Sequence, residues 1–135
     1  MTVHVGEEDD ALEERLGNEL DDFNARASGA EVREFSARVT GDDGELIGGL
    51  TGSTWGECGF VDMLWVDAGH RHEGWGGKLL HAAEEEARAR GCTRMFLSSY
   101  TFQAPPFYER LGYVETHRVE GMPGGHADVY LRKEL

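Results

Sequence analysis

The sequence predicts an α+β fold: a mixed, mostly antiparallel central sheet with one parallel βαβ (α/β) unit, flanked by helices. Three observations predict it. A segment of alternating polarity and a glycine-rich strand meet at a Gly-Asp-Asp-Gly turn, which is a hairpin signal. An apolar strand, a glycine-rich loop, a strong helix and a second apolar strand follow in succession, which is a βαβ signal and implies parallel pairing. Two further strands close the chain around Pro123-Gly124-Gly125. With 135 residues the length is that of one domain, residues 1–135, large enough for a hydrophobic core without disulfide or metal staples.

The elements read as follows. Val3 to Val5 is a short strand candidate. Residues 9–27 form a helix, because Leu12, Leu16, Leu20, Phe23 and Ala27 recur at steps of three or four. Asp9 and Asp10 suit its positive N-terminal end, and Ser28-Gly29 stops it. Phe35, Ala37 and Val39 alternate with polar residues as a strand. Across the turn, Glu45 to Trp55 is a second strand, whose Gly48, Gly49 and Gly52 mark a bulge or a close approach of backbones. Phe60 to Val66 is apolar but for Asp62, the pattern of a strand buried on both faces. Gly74 to Arg90 is a helix with Leu79, Leu80, Ala83 and Ala87 on one face, ended by Gly91. Met95 to Leu97 is a short buried strand. Pro105 and Pro106 open a short helix that runs to Leu111. Tyr113–Glu120 and Ala127–Arg132 are the last strands.

Charge narrows the partners. Twenty-six acidic residues oppose 13 basic ones, a net charge of −13, and only Lys78 and Lys133 are lysines. No basic patch emerges, so nucleic acid is not expected as a partner. No signal peptide opens the sequence and no apolar run reaches membrane-spanning length, which points to a cytoplasmic protein without a membrane partner. Cys58 and Cys92 fit no metal spacing and read as small core residues, and no metal site is expected. The acid-rich, lysine-poor surface matches the composition of a halophilic protein.

The chemistry concentrates in Val66-Asp67-Ala68-Gly69-His70-Arg71-His72-Glu73-Gly74-Trp75-Gly76-Gly77-Lys78. A buried strand leads into a loop that opens a helix, whose first N–H groups lack internal partners and attract anions. The glycines let the main chain approach a phosphate, and Arg71 adds a fork of donors. A P-loop would need Gly at 72 and Ser or Thr at 79, where His72 and Leu79 stand. A dinucleotide fingerprint fails as well, because Gly74-Trp75-Gly76 is followed by Leu79.

Arg71-x-x-Gly74-x-Gly76 after an apolar strand resembles the acyl-CoA motif of the GNAT superfamily of N-acetyltransferases. The segment Ala104-Pro105-Pro106-Phe107-Tyr108-Glu109-Arg110-Leu111-Gly112-Tyr113 resembles that superfamily's A-x-x-F-Y-E-x-L-G-F/Y segment. The two motifs stand in the superfamily's order, one helix and one strand apart. The resemblance implies a GNAT fold and an enzyme that moves an acetyl group from acetyl-CoA to a primary amine by direct transfer in a ternary complex. The alternative is an inactive acyl-CoA-binding regulatory module. A small-molecule or peptide amine would be the acceptor, and by family analogy a homodimer is expected.

Carried over residue by residue, the resemblance implies that Leu64, Trp65 and Val66 pair with the pantetheine arm. Arg71, His72, Glu73, Gly74, Trp75, Gly76, Gly77 and Lys78 would form the pyrophosphate loop, and Phe107 and Tyr108 would lie near the thioester. Tyr108 would donate a proton to the leaving thiolate. Thr101 stands where the family often has Asn, with Gln103 as the substitute amide contact. Asp62 and Glu57 are the candidate bases, Asp62 because an acid interrupting a buried strand needs a reason. His70 and His72 flank Arg71 as solvated residues or further phosphate donors. His126 opens the last strand, where such enzymes often line the acceptor pocket.

One prediction needs only composition. At roughly 1 M salt the Debye length falls to about 3 Å, which screens the mutual repulsion of the carboxylates. The melting temperature should therefore rise between dilute buffer and molar salt, as thermal unfolding followed by circular dichroism would show.

Overall fold

In the computed structural model, which describes residues 1–135, the chain forms two compact units, residues 1–32 and 33–135. The first holds helix α1, Asp10–Ser28. The Asp9 carboxylate accepts a hydrogen bond from the Leu12 N–H at 3.0 Å, and Asp10 and Glu13 sit in the first turn, where the helix dipole favours acids. Gly29, left-handed at φ 78°, closes the helix by donating its N–H to the Ala25 carbonyl. Val3 to Val5 forms no strand. Three residues with no neighbouring strand to take their hydrogen bonds do not make a sheet element.

The second unit is a six-stranded sheet. Its strands are β1 (Arg33–Thr40), β2 (Leu46–Trp55), β3 (Cys58–Val66), β4 (Arg94–Tyr100), β5 (Val114–Met122) and β6 (His126–Glu134), in spatial order β1-β2-β3-β4-β6-β5. Every pair is antiparallel except β3–β4, which is parallel. Helix α2 (Trp75–Ala89) makes the crossover between β3 and β4, and the short helix α3 (Pro105–Arg110) follows β4. This is the mixed architecture expected from the hairpin and βαβ signals.

Alternation builds the core. Leu50, Met95, Leu97, Val129 and Leu131 point from the sheet onto Leu79, Leu80, Ala83 and Ala87 of α2, and all are buried. Arg90 pins the end of α2 to the β1 edge by donating to the Arg33 carbonyl at 2.9 Å and the Thr54 hydroxyl at 3.2 Å. At the other side of the core, Glu84 of α2 is buried. Its carboxylate accepts from the Tyr113 hydroxyl at 2.7 Å and from Lys133 Nζ at 3.1 Å. Burial, then the Glu84 bond and charge, push the Tyr113 phenol far above its ordinary range.

Strand β3 departs from the expectation of burial on both faces. Phe60, Met63 and Trp65 are exposed, Met63 by 67%, while Gly59, Val61, Leu64 and Val66 turn inward. The apolar run misled because α2 covers only one face of this strand. Asp62 is exposed as well, so it is not a buried acid. It is the extra residue of a β-bulge, because Thr51 pairs with Met63 while Gly52 pairs with Val61. Opposite it, a Cβ on Gly52 would lie 2.3 Å from the Phe60 carbonyl oxygen and 2.7 Å from the Phe35 ring. Only glycine fits there.

Gly52→Ala should therefore destabilise the protein by about 1–3 kcal/mol through overpacking. A lowered denaturation midpoint with an unchanged m-value would show it.

Candidate active site

The site begins where a strand pair comes apart. The β3–β4 ladder holds only from Cys58, Gly59 and Phe60 to Arg94, Met95 and Phe96. Beyond it, β3 stays paired to β2 as far as Val66–Gly48, and β4 stays paired to β6 as far as Tyr100–Asp128. The inner edges of Val61–Val66 and Leu97–Tyr100 thus face a wedge-shaped notch with unpaired main-chain groups. Such groups template an added extended chain. The notch opens at the bulge, which bends and twists β3 just past its last paired residue.

At the C-terminal end of β3 the chain enters the glycine loop. The Asp67 N–H bonds to the Ile47 carbonyl at 2.7 Å, and the Asp67 carboxylate accepts from the Gly69 N–H at 3.0 Å. Arg71 donates through Nε to the Val66 carbonyl at 3.1 Å. That bond fixes the guanidinium at the mouth of the notch and leaves its two terminal nitrogens as donors. Glu73 fastens the loop. Its carboxylate bonds His70 Nδ1 at 3.0 Å and accepts from the Trp75 indole N–H at 2.9 Å. These two bonds hold its pKa below the ordinary carboxylate value. His72 is exposed and adopts a left-handed φ of 73°, strained for a side chain of its size.

Helix α2 then starts without a side-chain cap. Its N-cap is Gly74, left-handed at φ 87°, and no acid occupies the first turn. The N–H groups of Trp75, Gly76 and Gly77 therefore lie at the positive end of a 15-residue helix with no protein partner to neutralise them. A Cβ on Gly77 would meet nothing within 4 Å, so the space in front of it is open. Gly76 serves packing: a Cβ there would lie 3.2 Å from the Phe107 ring and 3.9 Å from Val66. The end of β3, the start of α2 and helix α3 thus converge on one glycine. Lys78 places its ammonium 4.4 Å from the centre of the Trp75 ring, so that face of the indole carries a cation.

Tyr108, on α3, is 8% exposed and packs edge-on against Phe107 and Tyr113 at ring distances of 5.1 and 6.0 Å. Burial alone raises its phenol above the ordinary value. The β4–α3 loop is held by its own side chains. The Gln103 amide oxygen accepts from the Tyr100 N–H at 2.9 Å, and the Thr101 hydroxyl meets His126 Nδ1 at 2.8 Å while accepting from the Ala127 N–H at 3.1 Å. The Thr101 hydroxyl and the Gln103 amide oxygen therefore shape the loop.

The structure brings Leu64, Trp65, Val66, the loop Arg71–Lys78, Phe107 and Tyr108 to one end of the sheet. Asp62 stands on β3 at the root of the notch, beside a hollow of about 480 Å³ lined also by Ser36, Thr51 and Met63. Glu57 is not brought in. It occupies the β2–β3 turn, where its carbonyl accepts from Thr93 and Arg94, and nine strand residues at about 3.3 Å each separate it from the glycine loop. Asp128, on β6, shows itself only in the structure. In an alternating strand it is indistinguishable from an ordinary outward polar residue.

Residues 6–113 match the model of the Acetyltransferase (GNAT) family. The chain is 43% identical over 96 residues to blasticidin-S acetyltransferase of Streptomyces morookaense, covering 70% of this chain and 71% of that one. The crystal structure of an acetyltransferase from Bacillus cereus is 34% identical, with 98% of each chain covered and a TM-score of 0.81. A solved chain from Agrobacterium tumefaciens is 29% identical and superposes with a TM-score of 0.90 over 100% of this chain and 99% of that one. With the notch, the uncapped glycine helix and the Phe107-Tyr108 segment in one place, the chain belongs to the GNAT family of acetyltransferases and transfers an acetyl group to an amine.

Proposed function

We propose that the chain moves the acetyl group of acetyl-CoA directly to a primary amine of a small acceptor bound in the same complex. The observation that carries this reading is the unpaired inner edge of β3 leading into the uncapped N-terminus of α2. An extended arm fits the first as an added strand, and a pyrophosphate fits the second. Leu64, Trp65 and Val66 would hold the arm through their main chain. The α2 amides and the free nitrogens of Arg71 would hold the phosphates, with His72 and Lys78 at the rim.

The residues then divide the work. A main-chain N–H of β3 aimed at the thioester oxygen stabilises the charge that develops there, a contribution of about 3 kcal/mol per donor. The amine nitrogen bonds the acetyl carbon, the carbon–sulfur bond breaks, and the Tyr108 hydroxyl gives its proton to the departing sulfur. The amine loses a proton to Asp62, directly or through water, and solvent reprotonates Tyr108. A buried Tyr108 suits its part, since a raised pKa keeps the phenol protonated throughout the neutral range. The kinship with an enzyme named for blasticidin S supports an amine acceptor and makes blasticidin S the first probe.

Tyr108→Phe should lower kcat about 10²-fold and leave acetyl-CoA affinity within a factor of two. Thiol release with blasticidin S and an amine panel measures the first, and calorimetry the second. Unchanged turnover removes Tyr108 from the mechanism, and acetyl-CoA binding with no turnover of any amine supports the inactive module instead. Gly74→Asp should weaken acetyl-CoA binding at least tenfold, since it strains a left-handed position and sets a negative charge at the helix end. The pH profile offers a third check. Because the Tyr108 pKa is raised from 10.0, the loss of rate from its ionisation should fall above pH 10.

A further inference from the structure

One half-buried carboxylate near the notch has an oxygen without a partner. Asp128 lies on β6 opposite Tyr100, the last residue of β4 before the loop that carries Thr101 to Gln103. Its Oδ1 is sealed from solvent and makes no hydrogen bond. No ion pair of the chain includes it. Arg118, on the neighbouring strand, holds Glu115 through two nitrogens instead. An uncompensated carboxylate oxygen is costly anywhere in a protein and more so in a chain of net charge −13. A bound ion or ligand is one way such a group is completed.

Its surroundings suit a cation. Tyr100, the cross-strand partner of Asp128, shares its face of the sheet. The Tyr100 ring stacks on Phe102 at 5.3 Å with 10° between planes, and both rings are exposed, 38% and 58%. The His126 ring meets the edge of Phe102 at 5.0 Å and is itself held by Thr101, which braces the aromatic pair. A carboxylate beside open aromatic faces is the chemistry that recognises ammonium and guanidinium groups.

We infer that Asp128, with Tyr100 and Phe102, forms an acceptor subsite for a cationic group separate from the amine that is acetylated. This rests on the acetyl-transfer reading above. The two amines differ in place, because Asp128 lies on β6, across β4 from the notch in which the reacting nitrogen must meet the thioester. The acceptor class is thus a compound with two cationic centres, one anchored at Asp128 on β6 and the other free to reach the notch between β3 and β4.

Calorimetric binding tests this without requiring turnover. The probes are α,ω-diaminoalkanes of three to six carbons against n-alkylamines of matched length, with the wild-type protein loaded with CoA. The best diamine should bind about tenfold or more tightly than its monoamine, and Asp128→Asn should erase that advantage while CoA affinity stays unchanged. Tyr100→Leu should reduce it in part. The Asp128→Asn melting temperature should hold or rise, because the sealed, unpaired oxygen of this half-buried side chain no longer carries charge. Equal binding of diamine and monoamine, a diamine advantage that survives Asp128→Asn, or a melting temperature that falls in that variant would each overturn the assignment. Failure of CoA to bind the wild-type protein would count against the acetyl-transfer reading, and the diamine comparison on the unloaded protein would still decide the subsite.

Discussion

The bulge at Asp62 is the constraint on which the site depends. One extra residue in β3 shifts its register against β2, and Gly52 makes room for the shift by presenting no side chain to the Phe60 carbonyl. Just before that point β3 and β4 still share a ladder, and just after it they do not. Parallel strands in a sheet normally bond along their whole common length, so the separation leaves a row of amides and carbonyls that the protein itself does not use. The chain of cause runs from a glycine in β2, through a bend in β3, to a cleft beside β4. Helix α2 makes the crossover between the diverging strands, and its first turn therefore opens at the wide end of the wedge.

Electrostatics sharpens the same place. The chain carries twice as many acids as bases, yet no acid enters the first turn of α2, where a helix would ordinarily welcome one. The acid just ahead of it, Glu73, is tied down by His70 and the Trp75 indole. Helix α1 shows the contrast, with Asp9 as its cap and Asp10 and Glu13 in its first turn. The protein caps α1 with carboxylates and leaves the start of α2 without any, so the positive end of α2 stays open to an anion.

Much of this was legible in the sequence, for identifiable reasons. Periodicity located α1 and α2, turn residues located the hairpins, and the spacing of Gly74 and Gly76 after an apolar strand located the uncapped start of α2. The burial of β3 was not legible, because an apolar run does not reveal whether one face or two are covered, and Phe60, Met63 and Trp65 are exposed. Nor was the bulge, since a shift in register is a relation between two strands. Asp62 therefore read as a buried acid when it is the exposed extra residue of an irregular strand. The placements of Thr101, Gln103 and Glu57 follow the same rule. Their partners are Ala127 and His126, Tyr100, and the Thr93–Arg94 amides, and all but Tyr100 are set by long-range pairing.

The two lysines carry a consequence of another kind. Lys133 is committed to the buried Glu84 carboxylate, and Lys78 lies over the Trp75 ring. The remaining eleven basic residues are arginines, whose guanidinium groups are poor nucleophiles toward a thioester, whereas lysine amines are acylated readily. An enzyme that holds an activated acetyl group is exposed to modifying itself. This chain meets its need for positive charge almost entirely with groups that do not accept acetyl, and so keeps the number of side-chain amines competing with its substrate at two.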